Sequence, residues 1–298
     1  MSSLKTIRRR LTSVTSTRKI LKAMNMVAAS NMQRNKTRLD AAQVYYAEAE
    51  SILNDYKKRN DIMDSLFIKP AIVNKSAYLL ITGNKGLCGG YNNNVSQKAL
   101  DHMQAKQNEQ ILLVGSKGYD YLKRRGRDIL HKFNTVPEAA THEDAEQISS
   151  YLSLLYTSGL VDSVYVAYTQ FESILTHVPS VVKVLPIGFE AETKAVQGNG
   201  VLLSQPEGSF SDDNDMLYDI DVSLCFDYTV LLYLSAFIYA AMLESSACEQ
   251  AARMMNMDTA VNNASDIIDR LTRQLNRRRQ SAITEEIIEI VSNTASKK

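Results

Sequence analysis

The chain has 298 residues, 34 Lys or Arg against 33 Asp or Glu, and a formal net charge of +1. A balance this close to neutral excludes a whole-chain electrostatic attraction to nucleic acid or to an acidic substrate. Three cysteines (Cys88, Cys225 and Cys248), odd in number and without CxxC or His pairing, exclude a metal or redox motif and suit a reducing compartment.

All 12 glycines and 5 prolines lie between Pro70 and Gly208. Gly costs about 1 kcal/mol and Pro about 3 in a helix interior, so this distribution predicts two long helices flanking a different architecture. The expected divisions are 1–69, 70–208 and 209–298. The first segment is basic: from Met1 to Leu39 there are ten Lys or Arg and no Asp or Glu. Stepping by three and four from Leu4 gives Ile7, Leu11, Val14, Arg18, Leu21, Asn25, Ala28, Met32, Asn35, Leu39, Ala42, Tyr46, Ala49, Leu53 and Tyr56. Only Arg18, Asn25 and Asn35 interrupt this apolar seam, which is the pattern of a coiled coil. The N-terminus has no apolar core of secretory-signal type, and the heptads argue against a cleaved transit peptide.

In the middle the period changes. Ala77–Thr82 and Gln110–Val114 are short apolar runs followed by glycine, as expected of strands buried on both faces of a parallel sheet. Helices are predicted over Asn94–Ala105, Lys117–Arg125 and His142–Ser158, with further strands over Ser163–Thr169 and Ser180–Pro186. This alternation defines an α/β sheet domain. Glu190–Asp215 is polar and glycine-bearing and predicts a mobile loop. The apolar stretch Tyr228–Leu243 is too short for a membrane span and predicts a buried helix segment.

The last segment repeats the seam of the first through Leu243, Ala247, Gln250, Met254, Met257, Val261, Ala264, Ile268, Leu271 and Leu275, so the first and last helices are natural partners. Beyond Leu275 the pattern shifts phase to Ile283, Ile287 and Ile290. At about 1.5 Å per residue each rod would run on the order of 75 Å, which calls for something outside the chain to receive it.

Chemistry is sparse. Gly83-Asn84-Lys85-Gly86-Leu87-Cys88-Gly89-Gly90 stands where a nucleotide loop would, between strand and helix, but has neither GxxxxGK followed by Ser or Thr nor GxGxxG. A tight structural turn is the favoured reading. Cys88 suits a small apolar filler better than a nucleophile, because His102, His131, His142 and His177 form no motif around it. Asp212, Asp213 and Asp215 lack the spacing of a calcium loop. No catalytic, cofactor-binding or metal-binding residues are assigned.

Thr17-Arg18-Lys19-Ile20-Leu21-Lys22-Ala23-Met24-Asn25-Met26-Val27-Ala28-Ala29 resembles the N-terminal helix signature of the gamma subunits of F-type ATP synthases, with Ile7-Arg8-Arg9-Arg10 ahead of it. Gly86–Asn92 looks like the central loop of that family. Ala251-Ala252-Arg253-Met254-Met255, followed by Asn276, Arg279-Gln280, Ile283-Thr284, Glu286-Ile287 and Glu289-Ile290-Val291, resembles its C-terminal motif. The resemblance covers nearly the whole chain. It implies a long antiparallel coiled coil of N- and C-terminal helices plus a central Rossmann-like α/β domain, acting as a non-catalytic rotor without a cofactor. The implied partners are the alpha and beta subunits of the catalytic ring, the epsilon subunit and the membrane rotor ring, at the cytoplasmic face of a bacterial membrane. Lys19, Lys22, Met24 and Met26 match the stretch that faces the acidic lever of a beta subunit. Arg253, Arg279, Gln280, Thr284 and Glu286 match positions that hydrogen-bond the catch loops of the ring. Arg18, Leu21, Arg277, Arg278 and the stretch 216–226 depart from the usual pattern. The alternatives are a doubly wound small-molecule enzyme and a basic coiled-coil scaffold.

Overall fold

The computed structural model describes residues 2–57, 65, 67–68, 75–103, 109–187 and 222–295. Two helices dominate the chain: α1 (Ser2–Lys57) and α5 (Val222–Ala295). Neither contains Gly or Pro, so nothing in the backbone interrupts the i→i−4 hydrogen bonds. Between them come β1 (Ser76–Ile81), α2 (Tyr91–Met103), β2 (Glu109–Val114), α3 (Ser116–Lys123), β3 (His131–Phe133), α4 (His142–Thr157), β4 (Ser163–Phe171) and β5 (His177–Leu185). The predicted loop 190–215 and its three aspartates lie outside the described residues. The chain forms two compact units, Ser30–Ala252 and Met1–Ala29 with Arg253–Lys298.

In the first unit a five-stranded sheet has the order β3-β2-β1-β4-β5. The first four strands in that order are mutually parallel, and β5 returns antiparallel to β4. The two runs expected in a parallel sheet, β1 and β2, pair parallel, and the sheet is completed by an antiparallel return. Its cause is the short turn Glu172–Thr176, which cannot hold a crossover helix. Every residue of β1 is buried, and the side chains alternate between two helical layers. Ala77, Leu79 and Ile81 join a core shared with α1, α4 and α5, while Tyr78 and Leu80 join one shared with α2 and α3. Each fully buried Leu contributes about 1.5–3 kcal/mol.

Two local devices fix this sandwich. Thr141 and Asp144 form a capping box at the start of α4. Gly115, at φ +95°, lets the chain leave β2 where a Cβ would stand 1.9 Å from the Thr82 carbonyl oxygen. The apolar stretch of α5 predicted to be buried is packed here: Val230, Leu234, Phe237, Ile238 and Met242 are each at most 1% exposed. Within this unit α1 and α5 run antiparallel. Asn35 Nδ2 donates to Ser246 Oγ at 2.8 Å, Tyr46 and Tyr233 share a hydroxyl hydrogen bond of 3.2 Å, and Tyr56 meets Phe226 edge-on.

The second unit is the pairing of residues 2–29 of α1 with 253–295 of α5. The seam read from the sequence is the packed stripe. Ile7, Ala28, Met257 and Ala264 are buried, and Leu4, Leu11, Val14, Leu21, Val261, Ile268, Leu271 and Leu275 are half-buried. The polar interruptions cross the seam: Asn25 Nδ2 donates to the Met254 carbonyl at 3.0 Å, and Arg18 Nη1 to Ser265 Oγ at 3.4 Å. Numbers rise on α1 as they fall on α5, so this pairing is antiparallel as well.

Candidate partner-contact surface

In the two-helix unit, one stripe of each helix is spent on the seam and the remaining faces meet water. Arg18, Lys19, Lys22, Asn25 and Met26 of α1 line a groove of about 560 Å³ whose other wall is Asp258, Val261 and Ser265 of α5. Three cations against one carboxylate make this groove positive. Met26 is 60% exposed beside them. Met24 lies elsewhere, because two residues along a helix is a rotation of about 200°. It shares the opposite flank with Ile20 and Val27, both 60% exposed and one heptad apart. Exposed apolar side chains interleaved with cations are a surface suited to another protein.

On α5 the predicted residues divide in the same way. Arg253 is buried at 7% exposure, whereas Arg279, Gln280, Thr284 and Glu286 are exposed. Thr284 Oγ1 donates to the Gln280 backbone carbonyl at 2.9 Å. Beside them Ile283, Ile287, Ile288, Ile290 and Val291 are 47–66% exposed. The phase shift after Leu275 had pointed to this change, and its physical content is an exposed apolar tip. Ile20 and Val27 were missed in the sequence because they lie off the seam. Their seven-residue spacing was the available signal.

The α/β unit answers the question of a nucleotide site. Doubly wound sheets bind ligands at the carboxyl ends of the strands where the order reverses, here between β1 and β4. That crevice is filled by α5. A Cβ on Gly83 would stand 2.5 Å from the Glu249 carboxyl, and Glu244 Oε1 accepts the Phe171 N–H at 2.8 Å. Both glutamates are at most 1% exposed. Burial pushes the Glu244 carboxyl up to about 7, opposed by the Phe171 hydrogen bond.

The glycine loop is consumed internally. Asn92 Oδ1 accepts from Gly83 N at 2.8 Å, Asn84 Oδ1 accepts from Ser116 N at 2.8 Å, and Tyr91 OH donates to the Ser245 carbonyl at 2.8 Å. Glu244 and Glu249 occupy the space where a phosphate would sit, so the loop is a structural turn. The sequence hid this closure, since Glu244-Ser245-Ser246-Ala247-Cys248-Glu249-Gln250 reads as a polar break in an apolar helix. Cys88 is buried at 2% exposure, and the four histidines make aromatic contacts: His102 with Tyr78, His131 with Tyr151, His142 with Tyr239 and His177 with Phe171.

The molecule thus belongs to a class defined by a long antiparallel helix pair together with a doubly wound unit whose own ligand crevice is closed. The family model described as ATP synthase matches residues 3–296. The chain is 36% identical over 292 residues to the ATP synthase gamma chain of Alkaliphilus metalliredigens, covering 98% of both. It is 34% identical over 296 residues to that of Desulforamulus reducens, covering 99% of both. In fold it is similar to a chain of the Euglena gracilis mitochondrial ATP synthase (OSCP/F1/c-ring, rotational state 3), with a TM-score of 0.65, 16% identity and coverage of 99% of this chain and 94% of that one. The chain belongs to the ATP synthase gamma-chain family.

Proposed function

We infer that this chain is the non-catalytic central-stalk subunit of an F-type ATP synthase, coupling transmembrane ion flow to ATP synthesis or hydrolysis by rotating inside the alpha/beta ring. The observation that carries this reading is the two-helix unit, which satisfies its seam and still exposes cations and large apolar side chains on several flanks. Residues 1–69 and 209–298 supply the shaft and 70–208 the foot, which meets the epsilon subunit and the membrane rotor ring at the cytoplasmic face of a bacterial membrane. An asymmetric shaft presents a different flank to each beta subunit in turn, and each catalytic site is moved between conformations of different nucleotide affinity.

The contacts follow the flanks. Lys19, Lys22 and Met26 meet an acidic lever of a beta subunit by charge, and Met24 meets it on another flank by a sliding apolar contact. Arg253, Arg279, Gln280, Thr284 and Glu286 hold the catch loops of the ring. Purification of the tagged chain from gently solubilised membranes tests the assignment. Recovery with alpha, beta and epsilon subunits and with ATP hydrolysis is expected. A folded chain recovered alone, without ATPase, overturns it. For the finer contact, Met24→Lys should lower ions pumped per ATP hydrolysed more than it lowers assembly, and an unchanged ratio counts against Met24.

A further inference from the structure

One charged region of the α/β unit has no part in the closed crevice. Helix α3 ends in Lys123-Arg124-Arg125-Gly126-Arg127, with Gly126 at φ +66° turning the chain back towards β3. The Leu130 N–H donates to the Ile111 carbonyl at 2.8 Å, which sets this turn at the amino edge of the parallel strands. The same edge holds the approaches to β1 and β4 and the beginning of α5: Asp162 N donates to Lys75 O, Ile187 N to Phe67 O, and Ser65 Oγ to Asp227 Oδ1. It is opposite the crevice, which lies at the carboxyl edge.

The cations here are arranged rather than scattered. Lys123 and Lys132 place their ammonium groups 5.5 and 5.3 Å from the centre of the Tyr119 ring, and the Arg125 guanidinium lies 3.8 Å from that of Tyr121. Aromatic faces hold such cations without neutralising them. Arg127 is paired with Glu109, but Lys123, Arg124, Arg125 and Lys132 make no ion pair among the described residues. Leu130, just ahead of β3 and two residues before Lys132, is 49% exposed.

We propose that this turn, with Lys132 and Leu130, is a docking surface for anionic phospholipid headgroups. Four cations without an ion pair among the described residues, against the one exposed carboxylate of Asp128 in the same turn and beside the exposed Leu130, match a diffuse negative layer with an apolar interior beneath it. The inference rests on the rotor reading only for the membrane being within reach of the foot.

The full chain contains no tryptophan, so Leu130→Trp gives a single reporter in the patch and Ile20→Trp one on the shaft. With vesicles of phosphatidylcholine and phosphatidylglycerol, the Leu130→Trp emission should shift to the blue and be quenched by brominated lipid. Phosphatidylcholine alone should do neither. Adding Lys123→Gln, Arg124→Gln and Arg125→Gln should raise the lipid concentration for half-saturation on the order of 100-fold. A shift of Ile20→Trp alone, no shift of either reporter, or a Leu130→Trp response to polyglutamate but not to vesicles overturns the proposal. Subunit co-purification is independent of this readout, so the two readings fail separately.

Discussion

The two units use one kind of interaction in different amounts. In the α/β unit β1 is buried along its whole length and α5 is buried continuously from Tyr233 to Ala251 apart from Tyr239. In the two-helix unit only four described apolar residues reach that degree of burial, and the seam is completed by two polar crossings. Two helices can cover only one stripe of each other, whereas a sheet between helical layers is covered on both faces. The α/β unit can therefore hold its fold from within. The helix pair leaves faces that a surrounding partner must cover, and a shaft needs such faces.

Substitutions can break this contrast. Gly115→Ala should have the largest effect, at least about 3 kcal/mol, because it meets the Thr82 carbonyl and an unfavourable φ together. Phe237→Ala should cost a similar 3–5 kcal/mol, while Leu21→Ala in the half-buried seam should cost about 1–2. Denaturant midpoints compare all three, and equal losses for Phe237 and Leu21 would remove the distinction between the units.

Next in size is a pH effect confined to the α/β unit. Glu244 has its carboxyl raised from 4.5 to about 7, so the folded chain binds this proton more tightly than the unfolded one. The stabilisation from that proton is complete below about 4.5 and is lost as pH rises through about 7, a change of roughly 3 kcal/mol. Glu244→Gln keeps an acceptor for the Phe171 N–H and removes the titration. Unfolding free energies of the two chains should match near pH 4.5 and diverge in favour of the variant at pH 8. Parallel curves would count against the shift.

Smaller effects sharpen the comparison. Asn25→Ala removes the hydrogen bond to the Met254 carbonyl and should cost about 1 kcal/mol, read as faster amide exchange in 2–29 and 253–295 only. Lys85→Ala removes a 2.9 Å pair between an exposed lysine and half-buried Glu138 and should cost less than about 1 kcal/mol.

The seam was legible because a stripe repeated over many turns needs only side-chain identity. Each of its positions from Leu4 to Tyr56 is buried or half-buried. β1, β2 and β4 were legible as apolar runs. β3 was not, since His131-Lys132-Phe133 is short and edge-lying and carries no run at all. For the proposed contact residues, identity pointed to the stretch but not to the flank. The helical rotation separates half-buried Met24 from exposed Met26. The closure of the crevice could not be read because it depends on residues more than 160 positions apart, Gly83 and Glu249, being brought together.

That closure also bears on how the chain fares in a nucleotide-rich cell. A carboxylate carried into the crevice by its own helix has an effective local concentration that dilution cannot change, at least about millimolar. A free phosphate compound would have to displace this resident to enter. The crevice of the doubly wound unit is thereby kept occupied whatever the size of the nucleotide pool.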